Sequence, residues 1–176
     1  MSADAQRLIR DLVRDVPDYP SAGILFKDIT PVLADAAAFA AVVDALVEEH
    51  SLGRIDKVAG IEARGFILAA PVAYHLNTGF VPMRKKGKLP YRTFESSYAL
   101  EYGTATLEVH RDAFAPGDRV LVVDDVLATG GTAAAATNLV AQGGGTVAGF
   151  SFLIELSALA GRTKIPDVDV HTLFVV

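Results

Sequence analysis

The sequence has no cysteine, which excludes a disulfide framework and any metal site built on thiolates. It has no basic excess, because 16 Lys and Arg residues face 21 Asp and Glu residues, and the formal charge of −5 argues against a nucleic-acid partner. No apolar run reaches the length of a membrane span, although 51% of the residues are hydrophobic. Residues 3–16 mix charged and apolar positions at helical spacing, unlike a signal peptide. We therefore expect a cytoplasmic protein without a nucleic-acid or membrane partner.

Histidine is also scarce, and the four histidines do not form a metal-binding pattern. They are spread along the chain without the spacing of metal ligands, and we interpret them as structural. They are His50, His75, His110 and His171.

The most informative feature that is present is an apolar run followed by two acids and a loop of small residues. Residues 120–123, Val-Leu-Val-Val, lack alternation, which predicts a strand buried on both faces of a parallel sheet. Asp124 and Asp125 follow at its carboxyl end, the edge where open α/β sheets bind ligands. Residues 133–136 are alanines, which predict a helix directly after the loop. The loop itself consists of Ala128, Thr129, Gly130, Gly131 and Thr132.

This arrangement favours a ligand that carries both a phosphate and vicinal hydroxyls. A helix N-terminus presents unpaired N–H groups and a positive dipole end, so it can hold a phosphate without a lysine. Carboxylates accept hydrogen bonds from sugar hydroxyls, and a ribose 5-phosphate satisfies both halves. The alternative is that the acids begin a turn and the glycines end it. A Walker A loop fits less well because the Gly-Lys-Ser/Thr ending is absent, and no G-x-G-x-x-G dinucleotide fingerprint is present.

Strand and helix patterns alternate along the chain, which predicts an α/β protein with a parallel sheet in a single domain, residues 1–176. Residues 88–101 have few aliphatic side chains and are expected to form a mobile loop or ribbon. Helices are predicted at 3–16, 36–50 and 66–75 and after Thr132, with a stop at the three glycines 143–145; strands are predicted at 57–61, 80–83, 105–110, 120–123 and 147–155.

Several of these strings together resemble the type I phosphoribosyltransferases, enzymes that use 5-phosphoribosyl-1-diphosphate (PRPP). In that family Ala128 stands where members acting on 6-oxopurines have an Asp, and the Leu-Ala-Thr-Gly-Gly-Thr form resembles the adenine-specific branch. The resemblance implies the family fold, a mainly parallel sheet flanked by helices, with an N-terminal hood over the base at about residues 1–35 and a mobile active-site loop. It also implies conversion of adenine and PRPP to AMP and diphosphate in purine salvage. The other matching strings are Tyr19-Pro20, residues 23–30, 62–66, 81–90 and 97–103.

Two positively charged segments are candidates for the diphosphate. Glu62, Ala63 and Arg64 follow a predicted strand, and a guanidinium suits a multidentate phosphate contact. The alternative is that Arg64 pairs with Glu62 on a surface turn. Residues 84–88 form the densest basic cluster of the chain; Arg84 and Lys88 are our candidates there, and a solvated turn is the alternative. The resemblance implies that the 62–64 loop binds diphosphate and that Arg84 reaches a neighbouring subunit of a homodimer.

The base site follows largely from the resemblance. Residues 24–26 offer an apolar wall and an aromatic face for a flat base, although core packing of Phe26 is the alternative. The resemblance implies that Phe26 and Leu156 sandwich adenine and that the backbone of Leu25 and Lys27 reads its edge. Lys27 replaces the Arg of many relatives, which leaves only the backbone role.

Ribosyl transfer requires charge stabilisation and a proton acceptor. We expect an oxocarbenium-like transition state, stabilised by the two Asp carboxylates, and Mg²⁺ carried by the PRPP diphosphate without direct protein ligands. The Leu-Glu-Tyr-Gly match implies that Glu101 accepts the purine proton and that Tyr102 helps to close the site. A PRPP- or nucleotide-sensing regulator on the same fold is the alternative function. An enzyme for xanthine or orotate is opposed by Ala128 and by the Phe26 segment.

Overall fold

The computed structural model describes residues 3–48, 53–99, 104–165 and 167–176. The chain forms two compact units, residues 1–45 and residues 46–176. Across those described ranges, no helix combines the length and apolar character needed to cross a membrane.

The first unit contains two helices and a two-stranded antiparallel sheet, and the helix α3 begins in it. The helix predicted to reach residue 16 ends at Leu12, and Pro17 disfavours helical backbone at Val16. Residues 14–17 pair with residues 25–28 instead, so that Val16 lies opposite Phe26. The elements are α1 Ala3–Leu12, β1 Arg14–Pro17, β2 Leu25–Asp28, α2 Thr30–Ala34 and α3 Ala36–Glu48.

The second unit is built on a seven-stranded sheet, which confirms the predicted α/β class with a mainly parallel sheet. The order of strands across the sheet is β5-β6-β4-β3-β7-β8-β9. The strand β6 pairs antiparallel with both β5 and β4, and the other pairings are parallel. Its elements are β3 Lys57–Ile61, α4 Arg64–His75, β4 Gly79–Lys85, β5 Thr93–Ala99, β6 Thr104–His110, β7 Arg119–Leu127, α5 Gly131–Gln142, β8 Thr146–Glu155 and β9 Val170–Val175, with 3₁₀ turns at Ser157–Leu159 and Gly161–Lys164.

The apolar runs that predicted central strands form the core. Residues 120–123 are fully buried, as expected for a strand covered on both faces. The helix α5 buries small and aliphatic side chains, among them Ala136 and Leu139, and ends at the predicted glycine stop. Phe150 and Phe152 stack with their ring centroids 5.9 Å apart.

The central strand β7 is longer than the apolar run predicted. The strand continues to Leu127, so Asp124 and Asp125 lie within it instead of beginning a turn. The reason is its neighbour β8, which pairs with β7 as far as Leu127 opposite Glu155. On the other side, pairing with β3 ends at Gly60 opposite Val123. The two acids therefore lie in the part of β7 that still pairs with β8 but no longer pairs with β3.

The segment expected to be a loop or ribbon is partly a ribbon. Residues 93–99 form β5, which pairs antiparallel with β6 through all seven residues. The strand β9 was not predicted; it is an edge strand whose residues are mostly only half-buried.

Candidate active site

The two acids of β7 lie at a crevice that the topology of the sheet creates. From β3 the chain passes through α4 to β4, whereas from the adjacent β7 it passes through α5 to β8 on the opposite side. Because the two connections diverge, the carboxyl ends of β3 and β7 open a gap, which is the usual ligand site of such sheets. Asp124 and Asp125 border this gap from β7, and Arg64 borders it from the start of α4.

Arg64 forms an ion pair with Asp125, not the surface pair with Glu62 that was the alternative interpretation. The Arg64 Nε lies 2.7 Å from Asp125 Oδ2, and the Asp125 side chain is 8% exposed. The backbone N–H of Asp125 donates to Asp124 Oδ1 at 2.9 Å. The ion pair therefore joins the loop after β3 to the central strand across the crevice.

Both carboxylates are electrostatically unfavourable in their charged form. Burial raises the pKa of Asp124 well above its usual range, and the negative charge of Asp125 raises it further. Burial also raises the pKa of Asp125, and the Arg64 guanidinium opposes that rise only in part. A ligand that donates hydrogen bonds or carries positive charge would stabilise this pair. Ribose hydroxyls and an oxocarbenium-like sugar have these properties.

A small cavity of about 50 Å³ lies beside the acids at the start of α5. The first intrahelical bond is donated by Ala134 N–H to Gly130 O at 3.0 Å, so the N–H groups of residues 131–133 have no partner within the helix. Gly130 precedes the helix with φ of 76°, a left-handed conformation that glycine adopts without strain. The cavity therefore suits a small anion such as a phosphate. Its lining residues are Asp124, Val126, Leu127, Ala128, Thr129, Gly130, Thr132, Ala133 and Phe152.

The basic cluster at residues 84–88 is held by three carboxylates, and one of them, Glu95, pairs with Lys86 at 2.6 Å. Glu62 accepts a hydrogen bond from Lys85 N–H at 2.9 Å, forms an ion pair with Lys88, and lies 3.4 Å from Arg84 Nε. Glu108, buried on β6, accepts a hydrogen bond from Gly87 N–H at 2.9 Å.

The positive charges of this cluster lower the pKa of Glu62. Burial raises that pKa, but the hydrogen bonds from Lys88 and Lys85 and the charges of Lys88 and Arg84 outweigh the burial and lower it. The predicted diphosphate ligands Arg84 and Lys88 thus already form ion pairs with a carboxylate, so a diphosphate must compete with Glu62 for them. Sequence reasoning missed Glu108, because an isolated Glu in a strand carries no signal of this contact.

The candidate base-binding residues fall in both units. In the first, Leu25 is 49% exposed, and the half-buried Phe26 packs edge to face against Tyr19 with ring centroids 5.1 Å apart. The Lys27 Nζ donates to Asp15 Oδ1 at 2.6 Å, so this side chain has a structural partner. In the second, Leu156 is half-buried directly after β8. The predicted catalytic residues Glu101 and Tyr102 lie outside the described residues.

The donor set around the crevice constrains how a metal could bind. Among the residues that the structure describes, no three His, Asp or Glu side chains are grouped closely enough to hold a metal ion. Two carboxylates at Asp124 and Asp125 remain, and Mg²⁺ characteristically combines one or two carboxylates with waters and substrate phosphates. These residues fit a Mg²⁺ ion that is held chiefly by its substrate.

Comparison with protein families gives a match over most of the chain. Residues 31–174 match the model of the phosphoribosyl transferase domain. An adenine phosphoribosyltransferase of Acidothermus cellulolyticus is 70% identical over 171 residues, covering 97% of both chains. A second, from Thermobifida fusca, is 57% identical and covers 100% of both chains.

Solved structures agree with these sequence matches. The crystal structure of adenine phosphoribosyltransferase from Rhodothermus marinus has a TM-score of 0.95 at 53% identity and covers 99% of this chain and 100% of its own. The Saccharomyces cerevisiae enzyme, complexed with an imino-altritol bisphosphate and adenine, has a TM-score of 0.92 at 38% identity. It covers 98% of this chain and 99% of its own.

Proposed function

The chain belongs to the phosphoribosyltransferase family, and we propose that it uses this fold as an adenine phosphoribosyltransferase in purine salvage. It transfers the 5-phosphoribosyl group of PRPP to adenine and forms AMP and diphosphate. The observation that carries this function is that Asp124 and Asp125 lie beside the N-terminus of α5. The carboxylates match the hydroxyls of a ribose phosphate, and the helix N-terminus matches its phosphate. The high identity to adenine phosphoribosyltransferases over the whole chain specifies the base.

The 5′-phosphate of PRPP binds at the start of α5. The N–H groups of residues 131–133, which have no partner within the helix, face the phosphate at the helix N-terminus, and the hydroxyls of Thr129 and Thr132 add donors at the same cavity. The ribose hydroxyls then reach Asp124 and Asp125 on the strand that precedes the loop. Their carboxylates favour positive charge on the sugar ring, so they stabilise the oxocarbenium-like transition state more than the uncharged ribose ring of the bound substrate.

The diphosphate binds on the opposite side of the crevice, at residues 62–64 and the basic cluster. Arg64, whose Nε faces Asp125, contacts the diphosphate through its guanidinium in a multidentate way. Lys88 exchanges the carboxylate of Glu62 for the phosphate oxygens of this site, whereas Arg84 leaves Glu62 for the diphosphate of the partner subunit. Mg²⁺ arrives on the diphosphate, where it offsets the charge that develops as this group leaves.

Phe26 and Leu156 are the side chains proposed to contact the adenine ring, and the backbone of Leu25 and Lys27 is proposed to read its edge. An uncharged pocket suits adenine, because backbone groups match its donor and acceptors without burying a charge. The engagement of Lys27 by Asp15 supports a backbone role for this residue. Glu101 accepts the purine proton as the new bond forms, and Tyr102 helps to exclude water from the activated sugar.

The active form is a homodimer in the cytoplasm. One face of α4 supports the dimer, because Ile67 is 45% exposed and Tyr74, two turns further along the helix, is 82% exposed. Phe80 is also exposed and packs against Phe66 of α4 with ring centroids 5.9 Å apart. Ile67 and Tyr74 on α4 and Phe80 on β4 are thus the apolar side chains proposed to lie in the dimer interface. In the dimer, Arg84 contacts the active site of the partner subunit.

The experiment that tests this function incubates the purified protein with adenine, PRPP and Mg²⁺ and measures both AMP and diphosphate. Equal amounts of the two products establish the transfer reaction. PRPP binding by calorimetry without product would contradict it and favour the regulator. A Lys27→Met variant provides a control, because the backbone reading of adenine predicts that it keeps turnover.

A further inference from the structure

The segment that follows β8 contacts the end of β7 at Leu156 and the phosphate-binding loop at Gly161. Leu156 N–H donates to Leu127 O at 2.9 Å, which ties the segment to the last residue of β7. Gly161 lies so close to the loop that a β-carbon on it would overlap Ala128 O and lie 3.0 Å from Gly130 N. A β-carbon on Gly130 would in turn overlap Gly161 O. The shape of the 128–130 loop is therefore set by where the backbone of Gly161 lies.

Arg162, the next residue, fixes that backbone to the edge of the sheet. Its Nε donates to both carboxylate oxygens of Glu155, at 2.8 and 2.9 Å, and its second terminal nitrogen donates to Glu155 Oε2 at 2.7 Å. The first terminal nitrogen donates to Val170 O on β9 at 2.9 Å. Thr172 also donates to Glu155 Oε2, at 3.2 Å. One guanidinium thus joins the turn, the end of β8 and the edge strand β9.

The opposite charges of Arg162 and Glu155 stabilise the contact between these two side chains. The Glu155 side chain is 10% exposed, and the hydrogen bonds from Arg162 lower the pKa of its carboxyl. A bidentate guanidinium-carboxylate pair is stronger and more directional than a single ion pair. Substitution by lysine would keep the charge but lose the fork geometry and the bond to Val170.

We propose that Arg162, held by Glu155, is a positioning residue for the PRPP site: it touches no substrate and sets the Gly161 backbone against which the 128–130 loop takes its phosphate-binding shape. This inference rests on the proposed function for the identity of the ligand, but the loop geometry stands independently of it. Misplacement of binding groups by a fraction of an ångström weakens ligand binding without unfolding the protein.

The test uses Arg162→Met, Arg162→Lys and Glu155→Gln in the full-length protein. The matched control is Arg54→Met, because Arg54 also donates to a carboxylate, Asp56, at 2.9 Å. Asp56 accepts a hydrogen bond from the backbone N–H of Arg119 at the amino end of β7. This end of the strand is opposite to the phosphate loop. Two quantities are measured: the KM for PRPP and for adenine, and hydrogen exchange in peptides that cover residues 127–133.

The proposal predicts that Arg162→Met raises the KM for PRPP about ten- to a hundredfold, leaves the KM for adenine unchanged, and accelerates exchange in the loop. Arg162→Lys and Glu155→Gln give the same pattern with smaller effects, and Arg54→Met gives neither. Wild-type PRPP kinetics and wild-type loop exchange in Arg162→Met would overturn the proposal, as would equal losses for both substrates. Hydrogen exchange needs no turnover, so absence of AMP formation in the wild type would contradict the proposed function alone.

Discussion

Gly65 and Asp124 approach so closely that a β-carbon on Gly65 would lie 2.7 Å from Asp124 Oδ1. The same β-carbon would lie 3.0 Å from Val123 O and 3.2 Å from Asp124 Cα. Gly65 is in the first turn of α4, directly after Arg64. The absence of a side chain there lets the diphosphate loop and the acid pair share one crevice.

This contact predicts the effect of Gly65→Ala. The added methyl group must displace the strand or rotate the Asp124 carboxylate, and such overpacking costs about 1–3 kcal/mol of the free energy of unfolding. We expect a lower unfolding free energy in urea and a raised KM for PRPP. The matched control is Gly79→Ala, where the three atoms nearest to the β-carbon all belong to the flexible side chain of Lys57. Equal kinetic constants in the two variants would show that the crevice tolerates the methyl group.

Asp124→Asn should stabilise the fold and impair the enzyme. The pKa of Asp124 is raised in the folded protein, chiefly by burial, so its ionised form destabilises the fold at every pH above that folded pKa. The destabilisation disappears as the pH falls below the unfolded value of about 3.9. The amide keeps an oxygen for the Asp125 N–H. We expect Tm at pH 7 to rise by about 2–4 °C and PRPP turnover to fall.

Differential scanning calorimetry at pH 7 and pH 4 checks the stability part of this prediction. The gain in Tm should shrink at the lower pH, because the wild-type carboxyl is then increasingly protonated. A lower Tm for Asp124→Asn at pH 7 would mean that the charge of Asp124 is well compensated in the fold.

Glu155→Gln should remove part of the acid sensitivity of the protein. Hydrogen bonds from Arg162 lower the pKa of Glu155 in the fold, so its contribution to stability is present above the unfolded pKa of about 4.3 and is lost as the pH falls through the folded value. Urea unfolding between pH 5 and pH 3 measures this loss. We expect a shallower fall for Glu155→Gln than for the wild type, and parallel curves would exclude the contribution.

Glu101→Gln tests the assignment of the general base. If Glu101 accepts the purine proton, its amide should lower kcat by about two to four orders of magnitude with little loss of PRPP binding. Steady-state kinetics and PRPP calorimetry separate the two effects. Turnover equal to that of the wild type would remove Glu101 from the mechanism.

Much of the fold was predictable because the buried strands lack alternation and the helices follow them in strict order. The limits of β7 were not, because the run of apolar residues ends at Val123 whereas the hydrogen bonding continues along β8 to Leu127. Strand length there depends on a partner strand that is distant in sequence. The edge strand β9 was not predicted either, because most of its residues are only half-buried.

The candidate site was predictable in its parts but not in its contacts. The acids, the loop and the basic cluster each have a local pattern, and the structure brings Arg64 to Asp125 as their placement at strand ends requires. The contact of Glu62 with Lys88 and that of Gly161 with the phosphate loop join residues more than 20 positions apart. No local periodicity reports such pairs, so they appear only once the chain is folded.

The most direct measurement offers the purified protein PRPP and Mg²⁺ with adenine, hypoxanthine, guanine, xanthine and orotate, each in a separate reaction, and measures nucleotide formation. We predict AMP from adenine and no nucleotide from the other four bases. Nucleotide formed from another base in place of adenine would contradict the assignment of the base pocket, and no nucleotide from any base would contradict the assignment as an enzyme.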